Sequence, residues 1–313
     1  MKEFISLIII IIFTGVIYYA IGPVAKKVEG HKFIPNHHFT YSDIPPLKLK
    51  GNVAKGKALV FGAGACIGCH SIKSVGIAAP MSPVMAAKTY GVVPPDLSDA
   101  GVLYSPKFLA AYIANPVKAM LLQHRYNAKN GKVFPMPAFA GAGGNKQQEI
   151  ADMVAYFKSI AFTKKISPKT AFVDSCGRCH AIRFDKWTQI GFIPKFKNNL
   201  QKLKFELKVT QYQKALKKYK GSLPPDLSTI LESRNKHFVE GFVENPQNYI
   251  KNTAMPRVGV TAATANQIEK YLFQTSNPEH AQRESLGRGI MIYLFIFAFF
   301  AYLWKRSIWK DLH

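Results

Sequence analysis

Acidic side chains are scarce in this chain. Its 313 residues carry 18 Asp and Glu against 42 Lys and Arg, a formal net charge of +24. A surface so basic disfavours basic partners and favours acidic ones or an anionic membrane face. Cysteine is scarcer still. All four cysteines belong to two short motifs, "CIGCH" at Cys66, Cys69 and His70 and "CGRCH" at Cys176, Cys179 and His180, so none is left over. Methionine is nearly missing from the second half, where Met255 alone lies between His180 and Met291. A small-x-small cleavage site is also missing after the first apolar run. That argues for a retained anchor, with a cleaved signal peptide as the alternative.

The length fits about two domains, and a 48% hydrophobic content suffices for packed cores plus membrane segments. Both ends read as membrane segments. Phe4 to Ala20, "FISLIIIIIFTGVIYYA", carries no charge, and Lys26 and Lys27 follow it. Ile290 to Trp304, "IMIYLFIFAFFAYLW", is a little shorter than the ~20 residues that span a bilayer. Arg288 can snorkel, Tyr302 and Trp304 suit an aromatic belt, and Lys305, Arg306 and Lys310 place the C-terminus inside. With both ends inside, everything between lies on the outer face.

The middle of the chain repeats itself. "VPPDLSDA" around Pro94 and Pro95 matches "LPPDLSTI" around Pro224 and Pro225. Asn115 in "YIANP" lies nineteen residues past Asp96, and Asn245 in "FVENP" nineteen past Asp226. A methionine beside proline follows in each, Met136 in "FPMPAF" and Met255 in "TAMPRV". Each half closes on a helical pattern, with Ile150, Met153, Val154 and Phe157 on one face of the first. The expected organisation is residues 1–27 as anchor or signal, 28–52 as a strap, 53–163 and 164–278 as two similar helical domains, and 279–313 as a C-terminal anchor. The second domain carries about twenty extra residues between its histidine and its Pro-Pro pair.

Cys-x-x-Cys-His is the attachment signature of c-type haem. Two thiols add to the haem vinyl groups and the next residue offers its imidazole to iron. Two covalent haems are therefore expected, on Cys66, Cys69 and His70, and on Cys176, Cys179 and His180. A zinc site or a redox dithiol is the rival for any one such pair, but each copy sits in its own repeat with its own Met-Pro. Methionine opposite histidine closes the iron site and suits electron transfer. Met255 is nearly forced as that ligand. In the first half Met81, Met85, Met120, Met136 and Met153 compete, and Met136 alone shares the Met-Pro setting and the chain order. The Pro-Pro loops read either as rigid turns or as walls on the histidine side, with a proline carbonyl accepting the imidazole N–H.

The insert after the second motif holds eleven Lys or Arg from Arg183 to Lys220 against Asp185 and Glu206, interleaved with aromatics. It reads as a solvated basic face or as a docking surface for a membrane partner or acidic cytochrome; on the outer face, nucleic acid is set aside. His31, His37 and His38 in the strap carry no further metal-ligand signal.

Residues 53 to 278 resemble tandem class I cytochrome c domains, as in the two-haem cytochrome c4 arrangement. With "DKWTQIG" and the terminal "YLFIFAFFAYLWKRSIWKD", the chain resembles the two-haem cytochrome c1 subunit of bacterial quinol–cytochrome c oxidoreductases, the bc1 complexes. That resemblance implies an all-α fold with a transmembrane helix at each end. It implies partners in cytochrome b and the Rieske iron–sulfur protein, and a soluble cytochrome c or oxidase as acceptor. It also implies a bacterial inner membrane, with the haem domains on the periplasmic side. Such a chain moves electrons and has no catalytic residues of its own. Two rivals stand beside it. A cbb3-type oxidase subunit also has tandem c-haems, but its anchor is typically N-terminal. A di-haem peroxidase needs an iron position open to peroxide, and both halves here offer a methionine.

Overall fold

The computed structural model describes residues 2–17, 19, 39–127, 129, 131–162 and 165–310. The three strap histidines, His31, His37 and His38, lie outside the described residues. The chain is mostly helical. Helix α1 spans Lys2–Val16, and its apolar part, Ile5–Val16, is shorter than a bilayer span. The expected N-terminal span to Ala20 runs partly outside the described residues.

The first half is organised by α2 (Val53–Phe61), α3 (Pro83–Tyr90), α4 (Pro106–Ala114) and α5 (Lys146–Ser159). Asn52 caps α2 through the Lys55 N–H. Asp152, buried on α5, accepts the Asn52 N–H at 2.7 Å and so places a carboxylate at the start of α2. The two helices cross very closely. A Cβ on Gly56 would run into the Asp152 backbone, so only glycine permits this approach.

The second half repeats the pair. Helix α6 (Pro168–Ser175) leads into the second Cys motif and packs against a later helix through Phe172 and Tyr271, ring centroids 5.2 Å apart. Between them come the strands β1 (Trp187–Thr188) and β2 (Gly191–Phe192), then α7 (Asn199–Lys220) and α8 (Lys236–Glu244). The later helix is α9 (Ala262–Ser276). The all-α expectation needs one correction, this two-residue antiparallel pair, which turns back at Gly191 with φ of +131°. The final helix, α10 (His280–Lys310), contains an apolar stretch, Ser285–Lys310, long enough to cross a membrane and buried nowhere against the protein. The helix extends well beyond the apolar run Ile290–Trp304, which removes the apparent shortfall in length.

The halves do not sit apart as beads on a string. One core cluster takes Leu103, Phe108 and Leu122 from the first half, Phe172, Ile182 and Val260 from the second, and Phe39, Tyr41 and Ile44 from the strap. The Tyr41 hydroxyl donates to the Val260 carbonyl at 2.7 Å, and Arg257 pairs with Asp43 at 2.8 Å. Ser105 and Thr261 exchange backbone bonds with Gly259 and Leu103 across the seam. The α7 insert packs on α3, burying Tyr212 and Leu216 beside Ala87.

Gly56→Ala should cost about 1–3 kcal/mol by overpacking the α2–α5 crossing. Thermal unfolding of the detergent-solubilised chain checks this, and an unchanged midpoint contradicts so close an approach.

Candidate functional site

Both Cys-x-x-Cys-His segments fold as the same tight turn. Cys69 and His70 donate backbone bonds to the Cys66 carbonyl at 3.2 and 3.0 Å; Cys179 and His180 do so to Cys176 at 3.1 and 3.0 Å. Each turn follows a helix, α2 or α6, which the crossing partner α5 or α9 holds in place. The second turn has a further prop, since the Trp187 indole donates to the Gly177 carbonyl at 3.0 Å.

The Pro-Pro loops dock on these turns in the same way twice. His70 Nδ1 lies 2.8 Å from the Pro95 carbonyl oxygen, and His180 Nδ1 lies 2.8 Å from that of Pro225. A carbonyl only accepts, so Nδ1 carries the proton and Nε2 keeps its lone pair free. Leu97 N–H meets the Ser71 carbonyl at 2.9 Å, and Leu227 N–H the Ala181 carbonyl at 3.0 Å. The Ser98 and Ser228 hydroxyls accept from the N–H groups of Ser74 and Phe184 at 3.0 and 3.2 Å. Asp96 and Asp226 accept from the Ser98 and Ser228 N–H groups, each at 2.9 Å. The two loops are reached over very different chain lengths, yet the bonding is the same. Pro94 and Pro224 precede the accepting prolines and are both half-buried.

Burial holds both imidazoles below the ordinary histidine range, against the opposing pull of the proline carbonyls. They are neutral at neutral pH, the form that ligates a metal. The four thiols are not paired with one another. Burial pushes Cys66 up to about 11 and Cys176 to about 12, unlike the acidified thiolate of a redox dithiol. Among the described residues, no cluster of three or more His, Cys, Asp or Glu gathers as a metal site, so the two motifs do not converge on a shared zinc.

Met136 and Met255 are both half-buried in loops. Met120 and Met153 are core residues, and Met85 is exposed. A cleft of about 660 Å³ runs from Tyr90, whose hydroxyl lies 3.5 Å from Cys69 Sγ, to Pro135, the neighbour of Met136. Lys88, Arg125, Lys132, Lys214 and Lys218 line it with no acid among them, while Cys66, Cys69, His70 and Met136 lie outside its lining. The donor set fits c-type haem: free thiols in pairs and a neutral imidazole with Nε2 available.

Sequence reasoning passed over several of these groups. Asp96, Ser98, Asp226 and Ser228 were legible in the doubled "DLS" but went unassigned. Tyr90, Arg125, Tyr126 and Lys132 carry no motif. The insert is expected as a surface, but Lys214, Lys218 and Tyr219 on α7 wall this cleft and Tyr212 is buried beside Ala87. The start of α7 does stay outside, with Leu200, Leu203 and Leu207 exposed.

The family model described as Cytochrome c matches residues 53–161. This segment is similar to a cytochrome c domain. The model of the Cytochrome C1 family matches residues 258–312, which take in α9 and the apolar α10. Together the matches support a c1-type cytochrome whose cytochrome c domain carries covalently attached haem. No curated protein matches the chain. A chain of a structure described as a hyperthermophilic respiratory Complex III is similar at 22% identity and a TM-score of 0.38, covering 47% of this chain and 75% of that one. A superposition so loose carries no argument.

The Asp96 carboxyl sits below the ordinary carboxylate range. Burial alone would raise it, but the Ser98 hydroxyl and N–H, the Ser71 hydroxyl and Lys73 together outweigh burial. A depressed carboxyl stabilises the fold above its ordinary pKa and loses that contribution as pH falls through the folded value. Asp96→Asn should therefore be less stable than the parent at neutral pH, and should lose less on acidification below the ordinary range. Unfolding midpoints taken across an acid series check this; parallel curves refute it.

Proposed function

We propose that the chain is a membrane-anchored di-haem cytochrome of the c1 type, an electron-transfer subunit of a quinol–cytochrome c oxidoreductase. The observation that carries this reading is the doubled docking of Pro95 on His70 and of Pro225 on His180, each beside a free Cys-x-x-Cys pair. In this reading residues 53–163 and 164–278 are tandem haem domains. Cys66 and Cys69 tether one haem and Cys176 and Cys179 the other. His70 and His180 would ligate iron through Nε2, and Met136 and Met255 would supply the second protein ligands. Pro94 with Pro95, and Pro224 with Pro225, hold the ring planes.

When bound, haem supplies one-electron oxidation and reduction, tuned by its axial ligands and by hydrogen bonding around them. The chain's own residues orient the imidazoles, through the Pro95 and Pro225 carbonyls. Electrons would come from a Rieske iron–sulfur protein next to cytochrome b, and go to a soluble cytochrome c or an oxidase. Helix α10 would anchor the chain with its C-terminus in the cytoplasm, the haem domains on the periplasmic side, and α1 as a second anchor. The Cytochrome C1 match over the C-terminal anchor favours this assembly over a cbb3-type oxidase.

Purification from native membrane tests the assignment. Cytochrome b and a Rieske protein should co-purify; a copper–haem oxidase subunit in their place would overturn it. The pyridine haemochrome assay should give two covalent haems per chain, and Cys176→Ala with Cys179→Ala should leave one. Met255→His should lower one midpoint potential and remove one sulfur-to-iron absorption band.

A further inference from the structure

Arg178 is one of the two residues inside the second Cys-x-x-Cys pair, but its side chain serves the other half. Its Nη1 donates to the Val93 carbonyl at 3.2 Å. Its own carbonyl accepts the Tyr212 hydroxyl at 2.8 Å, and that hydroxyl accepts the Val93 N–H at 3.3 Å. Three residues thus close a ring across the seam, with Tyr212 fully buried at its centre. Val93 is gripped at both its N–H and its C=O. It is followed by Pro94 and Pro95, two residues with fixed φ, and the Pro95 carbonyl holds His70. The second half has no matching enclosure at this place. Leu223, which stands where Val93 does, is 41% exposed.

We infer that Arg178 is a cross-domain positioning residue: with Tyr212 it fixes the loop that orients His70, and its charge acts on the first haem site rather than on the second alone. The inference rests on the two-haem reading above. The guanidinium keeps donor capacity to spare, since its Nε is buried with no partner among the described residues. The guanidinium sits against the Val93 carbonyl, two residues before the Pro95 whose carbonyl holds His70, so its positive charge lies beside the first site. A fixed cation near an iron disfavours the ferric state, which carries one more positive charge, and so raises the potential.

The test uses the full haem-loaded chain in detergent. Midpoint potentials come from optical redox titration, and amide exchange at Val93 reports the grip on the loop. Met255→His in each background moves the second wave away and so identifies the first. Arg178→Gln should keep both haems, lower the first potential so that the reduced-to-oxidised ratio at fixed ambient potential falls about tenfold, and speed exchange at Val93. Tyr212→Phe should speed exchange at Val93 with a much smaller shift in potential, since the charge remains. Arg178→Lys should recover most of the potential but not the protection. An unmoved first potential in Arg178→Gln overturns the inference, as does an equal shift in Tyr212→Phe or no recovery in Arg178→Lys. Fewer than two covalent haems in the parent chain would instead sink the two-haem reading itself.

Discussion

A single hydrogen bond, from an imidazole Nδ1–H to a proline carbonyl, is the constraint around which each half is built. It fixes the tautomer, the ring plane and the direction of the free Nε2 lone pair at once. The surrounding structure exists to keep its two ends in register. One end is the histidine, set by a turn at the end of a helix that is itself locked by a close crossing. The other end is the proline carbonyl, set by a loop that cannot relax, because proline has a fixed φ and offers no N–H for an alternative pairing. Asp96 and Asp226 then satisfy the loop's own donors.

The seam between the halves is reciprocal. Arg178 of the second half grips the first-half loop at Val93. Arg125 of the first half donates to the Tyr219 and Lys220 carbonyls at 3.3 and 2.9 Å, at the C-terminal end of α7. A cation there meets unsatisfied carbonyls and the negative end of the helix dipole. The basic character of the chain is thus partly an internal device. Several of its cations work in a cleft and a seam, where the partners of Arg125 and Arg178 are backbone carbonyls. Losing one partner from such a seam leaves buried polar groups unpaired, which costs more than the bond itself contributes.

Much of the site was legible from residue order alone. The doubled Pro-Pro-Asp-Leu-Ser predicts two loops of one kind, and of the two readings open for them the structure shows the proline carbonyl on each imidazole. Helical periodicity placed Met153 in the core, where the structure has it at 1% exposure. The seam was not legible. Tyr212 and Lys214 stand in a lysine-rich helix whose composition reads as solvated, and nothing local says that one half of it is pressed against α3. Likewise Arg178 looks like a spacer in its motif, because its partner Val93 lies 85 positions away. The short β1–β2 pair escaped for a related reason: two residues per strand give no alternation to detect.

The clasp between the strap and the last third of the chain sets an order in time. Tyr41 and Val260 are 219 positions apart. At ~5–20 residues per second, the ribosome finishes the second of these roughly 10–40 s after the first. For much of that interval Lys88 and Tyr90 already exist, while α7, whose Lys214 and Lys218 line the same cleft, is still unmade or undocked. The cleft is therefore open early and walled late, and the contact between Tyr41 and Val260 is among the last that the growing chain can make.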